Sequence, residues 1–69
     1  MRIASAYLWF HNPLLNIAEV RSFRSEYRAK SWYELSGLLG TAYICYSVSD
    51  VTELNRLAQA RGTLISYVK

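Results

Sequence analysis

The stretch Thr41-Ala42-Tyr43-Ile44-Cys45-Tyr46-Ser47-Val48 decides the fold class. It carries no charge, is rich in β-branched and aromatic side chains, and sets Ala42, Ile44, Tyr46 and Val48 on one face. A strand is expected here. Asp50 and Glu53 follow with capping-box spacing. Val51, Leu54, Leu57 and Ala58 then recur on one side at helical spacing, so a helix should begin at Ser49-Asp50, with Leu54, Leu57 and Ile44 in the core. Arg61 in the last turn and Gly62 just beyond it are helix-end signals. Thr63–Val68 is β-prone again. Residues 41–69 thus predict a compact βαβ unit, right-handed if its strands are parallel neighbours.

Working back from that unit, Pro13–Lys30 follows helical spacing, with Ile17, Val20, Phe23 and Tyr27 on one side. Asn12 is a suitable cap and Pro13 suits a first turn. Glu26 and Lys30 are a favourable i,i+4 pair. Ser31 and Glu34 repeat the capping-box pattern, which predicts a second short helix ending near Gly40 and weakened by Gly37. Arg2–Phe10 reads as a first strand with Ile3, Ser5, Tyr7 and Trp9 on one face. The expected order is β-α-α-β-α-β. The expected class is α+β (or a small α/β), a single domain over residues 1–69, with a three-stranded sheet packed by helices on one face.

Composition sets the bounds. The chain has 69 residues, 52% hydrophobic, 19% charged and 14% aromatic, with net charge +3. That is too apolar for a disordered tail, and the length supports one small core. One cysteine and one histidine exclude an internal disulfide, a cysteine-based zinc site and a His–His metal pair. The uncharged runs Ile3–Ala18 and Leu35–Ser49 fall short of the ~20 apolar residues that span a bilayer. The start resembles a signal peptide but lacks a small-residue cleavage site. With the lone thiol, this makes a reducing cytoplasm the expected compartment.

No phosphate loop, dinucleotide fingerprint or metal-ligand spacing is present. His11 with Cys45 is the one conceivable nucleophilic pair, but a cysteine in mid-strand is usually a small buried hydrophobe. No catalytic residue, cofactor or metal is therefore expected. Leu57–Gly62 imitates the turn of a helix-turn-helix, yet the segment that would be its recognition helix is β-branched.

Two features point to binding. Arg21, Arg24 and Arg28 would share one face of the first helix, opposite Glu19 and Glu26. Six of eight basic residues are Arg, which binds carboxylates and phosphates in bidentate fashion. Ten aromatics, six of them Tyr, exceed the needs of one small core. Exposed Tyr, Trp and Arg are the composition of interface hot spots. The expected partner-binding residues are Arg21, Arg24, Arg28, Trp32 and Tyr33. The expected function is a non-enzymatic protein-binding module, an inhibitor or regulator covering an acidic surface on a larger protein or protein–nucleic-acid complex. Phage and mobile-element inhibitors of host machinery, anti-CRISPR proteins among them, are often chains of this size. A homodimer is a further expectation for the surplus aromatic face. The alternative is a small basic nucleic-acid binder, from the Arg residues, the stacking aromatics and a pI near 9.3.

Overall fold

The computed structural model describes residues 6–37 and 40–68. The expectations for Ile3 and Ser5 lie outside them. Strand β1 (Ala6–Asn12) turns into β2 (Ile17–Phe23), helix α1 (Glu26–Ser36) leads to β3 (Thr41–Cys45), and helix α2 (Val48–Gln59) leads to β4 (Leu64–Val68). The four strands form one sheet in the order β3-β1-β2-β4. β1 is antiparallel to β2 and to β3, while β2 and β4 are parallel.

The register divides the side chains between the two faces. Trp9 opposes Val20 and Tyr43, and Val20 opposes Tyr67, so these share a face. Trp9 reaches Asn55, which places α2 on that side. Trp9, Ala18, Val20, Cys45, Val51 and Ala58 form its core, flanked by Tyr7, Leu54 and Ile65. The other face carries Ala6, Leu8 and Phe10, all buried, and packs against α1 through Phe10–Tyr33 and Phe23–Trp32 ring contacts at 6.0 and 6.2 Å. The sheet is thus sandwiched between its helices. The connection β2-α1-β3 steps one way across β1, and β3-α2-β4 steps back across β1 and β2. Right-handed crossovers running in opposite directions put their helices on opposite faces.

Several expectations are corrected. The sheet has four strands, not three, and its helices lie on both faces. The expected first helix, Pro13–Lys30, divides into a turn, strand β2 and the start of α1. Asn12 does act as a cap, but of a turn: its Oδ1 accepts from Leu14 N and Leu15 N at 3.0 and 3.2 Å. Asn16 takes a left-handed φ of 53° and closes the hairpin. Ser31–Glu34 begins no helix, because α1 already starts at Glu26. There Ser25 is the cap and accepts from Arg28 N, and Gly37 at φ 67° ends the helix. The β3-α2-β4 unit is present and its strands run parallel, but β1 and β2 lie between them.

The helix expected from Ser49-Asp50 begins at Val48. Ser47 caps it and accepts from Asp50 N at 3.2 Å. Val51 and Ala58 are buried and Leu54 is partly buried, as its spacing predicts. Leu57 is not core: it is 53% exposed. Asn55 takes the buried place instead, since Val51, Asn55 and Ala58 make the stripe that faces the sheet. Ile44 is half-buried.

Candidate partner-binding site

The arginines do not share a helix. Arg21 lies on β2, Arg24 in the turn after it, and Arg28 on α1. Arg21 spends its guanidinium inside the fold, 4.2 Å from the centre of the Trp32 ring and 3.5 Å from Glu19. Its Nε is buried without a hydrogen bond. Arg24 and Arg28 are exposed. Trp32 and Tyr33 are half-buried, Trp32 between Phe23 and Arg21 and Tyr33 against Phe10, with its hydroxyl donating to the Gly40 carbonyl. Two of the five expected contact residues, Arg24 and Arg28, are therefore open to solvent. The other three serve packing as well.

The helix pair Glu26–Lys30 forms at 2.6 Å. Hydrogen bonds from Lys30 and then from the Tyr46 hydroxyl hold the Glu26 carboxyl below its ordinary range, and the same bond holds the Tyr46 phenol above its own. These are uses within the fold. His11 and Cys45 are not brought together: His11 opposes Thr41 while Cys45 opposes Tyr7, four residues further along β3 and so about 13 Å away. Burial pushes the Cys45 thiol up, the reverse of what a nucleophile needs.

The concave feature lies at the hairpin end, on the α2 side. It is an open cleft of about 500 Å³. Trp9, Tyr43, Leu54 and Leu57 form its apolar walls. His11, Asn16, Thr41, Thr63 and Arg61 supply the polar groups, and no carboxylate lines it. The floor is rigid. Trp9 is 5% exposed and its indole N–H donates to Asn55 Oδ1 at 2.8 Å, while Asn55 Nδ2 donates to the Tyr67 hydroxyl at 2.7 Å. The Trp9 ring is stacked on His11 and tilted against Tyr43.

Asn16 is fixed by four bonds. Its backbone N donates to Asn12 O and its carbonyl accepts from Leu64 N. Its Oδ1 accepts from Thr63 Oγ1 at 2.8 Å and from His11 Nε2 at 2.9 Å. The amide oxygen only accepts, so His11 Nε2 is the donor of this pair. That leaves Asn16 Nδ2 as an unused donor. Arg61 forms no ion pair among the described residues. The cleft is thus donor-rich, with an aromatic floor.

Further apolar side chains are exposed at the same end of the sheet. Leu14 and Leu15 at the hairpin tip are 93% and 66% exposed, and Leu64, bonded through its N to Asn16, is 69% exposed. α2 crosses all four strands but α1 reaches only β1, β2 and β3, so nothing described covers Leu64 and Ser66 on the α1 side. His11 and Arg61 were visible in the sequence as a turn residue and a helix-end charge. Asn16 gave no signal. Among the described residues no cluster of potential metal ligands occurs, and no helix is long and apolar enough to cross a membrane. No family model, curated protein or solved structure matches the chain.

Proposed function

We propose that the chain is a protein-binding module that acts by covering a surface on a larger partner, as an inhibitor or regulator. The observation that supports this is the hairpin end. Leu57 and Tyr43 are exposed there on the walls of one aromatic-floored cleft, Leu14 and Leu15 are exposed at the hairpin tip, and the Arg at the rim of the cleft forms no ion pair among the described residues. Exposed apolar side chains gathered at one end of a small domain mark an interaction surface. Tyr, Trp and Arg within such a patch are the residues that carry binding energy. Arg24 and Arg28, on the opposite side of the sheet, are a second contact for acidic groups of the same partner.

Affinity capture from extracts of the source cells tests the reading. A captured protein should survive nuclease treatment and about 0.5 M salt, because an apolar interface lacks the steep salt dependence of counterion release. Leu57→Asp with Tyr43→Asp should abolish capture while leaving the circular dichroism spectrum unchanged. Loss of all binding on nuclease treatment would instead favour nucleic acid, and a double variant that captures normally would remove this face from the account.

A further inference from the structure

Strand β4 pairs with β2 alone among the described residues. Its sequence, Leu-Ile-Ser-Tyr-Val, has no charge, Pro or Gly to blunt the outer edge. Leu64 and Tyr67 are 69% and 68% exposed, and Ser66 is exposed as well. Successive residues of a strand point their N–H and C=O groups to opposite sides of it. Leu64 N donates to Asn16 O, so Leu64, Ser66 and Val68 turn their backbone groups toward β2. Ile65 and Tyr67 turn theirs outward.

This phase and the order of the side chains match the strand to itself. Antiparallel pairing of two copies about Ser66 sets Ile65 of each against Tyr67 of the other. Each of these two outward pairs exchanges two backbone bonds. Ser66 meets Ser66 at the axis and Leu64 meets Val68, both in non-hydrogen-bonded positions, where side chains lie closest. Leu64 and Val68 point to the side of β4 that α1 does not reach. Ile65 and Tyr67 point to the α2 side, where the Tyr67 hydroxyl is already held by Asn55. Apolar side chains thus meet apolar ones on both faces. Centring the axis on Ile65 or Tyr67 instead sets Ser66 against an apolar side chain and leaves one outward pair within the strand. Glu19 and Arg21, which oppose Ser66 and Val68 on β2, are paired with each other, so neither brings an unpaired charge to the axis.

We propose that a second copy of the chain covers the β4 edge, the two β4 strands pairing antiparallel about a two-fold axis through Ser66 and joining the sheets into one. The axis stands perpendicular to the sheet, so both α2 helices lie on the same face. The two clefts then open on that face at opposite ends of the dimer. This stands apart from the protein-binding reading.

The interface is small, so association is weak and is sought at the concentrations used for NMR. Sedimentation equilibrium of the whole chain over a concentration series should reach a species of about 16 kDa, twice the 8.0 kDa of one chain. Ser66→Lys sets two ammonium groups side by side at the axis. It should weaken association by about tenfold or more and leave the circular dichroism spectrum unchanged. Leu57→Asp, away from β4, should leave association as it is. Cysteine crosslinking in a Cys45→Ala background reads the register, because a disulfide needs Cα atoms within about 7 Å. Under mild oxidation Ser66→Cys should give a covalent dimer. Leu64→Cys should not, since the two Leu64 positions are offset by four residues, about 13 Å. A monomer at every concentration would overturn the proposal and leave the edge to a strand of another protein. Equal crosslinking at positions 64 and 66 would overturn it too. So would association that survives Ser66→Lys but not Leu57→Asp, which would make the hairpin end the self-contact.

Discussion

Replacing Asn55 by Ala probes the bond on which the cleft floor rests. The indole N–H of Trp9 is buried and donates to Asn55 Oδ1 at 2.8 Å. No other acceptor bonds it among the described residues. Truncating Asn55 leaves that donor without a partner in a site water does not reach. A buried unsatisfied polar group costs about 1–3 kcal/mol, and the Tyr67 hydroxyl loses the amide donor it accepts from. A single-core domain of this size rarely holds more than about 3–5 kcal/mol. A loss of about 2 kcal/mol would lower the melting temperature by roughly 8–16 °C. Urea unfolding followed by circular dichroism measures it. Trp9→Phe removes the donor instead, so in the double variant neither end of the Trp9–Asn55 bond is left unpaired. The double-mutant cycle should show a coupling of at least about 0.5 kcal/mol. If Asn55→Ala unfolds within about 0.5 kcal/mol of the parent, or the cycle shows no coupling, the buried bond is not what orders the floor.

Further outcomes follow from burial. Leu8 is 1% exposed, so Leu8→Ala should cost about 2–5 kcal/mol, whereas Leu57→Ala, at an exposed position, should cost under about 1 kcal/mol; urea midpoints compare them. Gly40 has φ 144°, and an added Cβ would fall 2.3 Å from the His11 carbonyl oxygen, so Gly40→Ala should destabilise by at least about 1 kcal/mol in a thermal melt. Cys45 is buried with its thiol pushed up. Alkylation by iodoacetamide at pH 8 should be slow in the folded protein and fast in urea. Because folding raises this group's pKa, its effect on stability is absent below the ordinary thiol value, about 8.5, and stability declines as pH rises beyond it. Cys45→Ala should flatten that alkaline decline.

The elements after Gly40 were legible because each obeys one period, although the strand expected over Thr41–Val48 stops at Cys45 and Val48 already belongs to α2. β3 and β4 are β-branched and short, and α2 has an apolar stripe between a Ser cap and a glycine turn. The hairpin was not, because Ile17, Val20, Phe23 and Tyr27 satisfy helical spacing as well as β2 satisfies alternation. β2 alternates over only seven residues, too few to exclude the helical period. What makes it a strand is pairing with β1 and β4, and that pairing has no local signature. The stripe on α2 was misplaced by one position for a related reason. Leucine is the default core residue, yet Asn55 is buried because Trp9 and Tyr67 carry polar atoms that need partners inside. Of the candidate contact residues, Arg24 and Arg28 were legible as exposed charge. The cleft joins His11, Asn16, Tyr43 and Arg61, residues up to 50 positions apart in the chain, and only the folded sheet brings them together.

Photo-crosslinking tests the central claim that the hairpin end meets a partner protein. A photoreactive phenylalanine analogue replaces Leu57 at the cleft, or Glu53 one turn earlier on the exposed side of α2, and each protein is irradiated in an extract of the source cells. The account predicts one protein adduct from position 57, none from position 53, and loss of that adduct when Arg61→Glu is added. Equal adducts from both positions, or an adduct from position 57 that consists of nucleic acid, would contradict it.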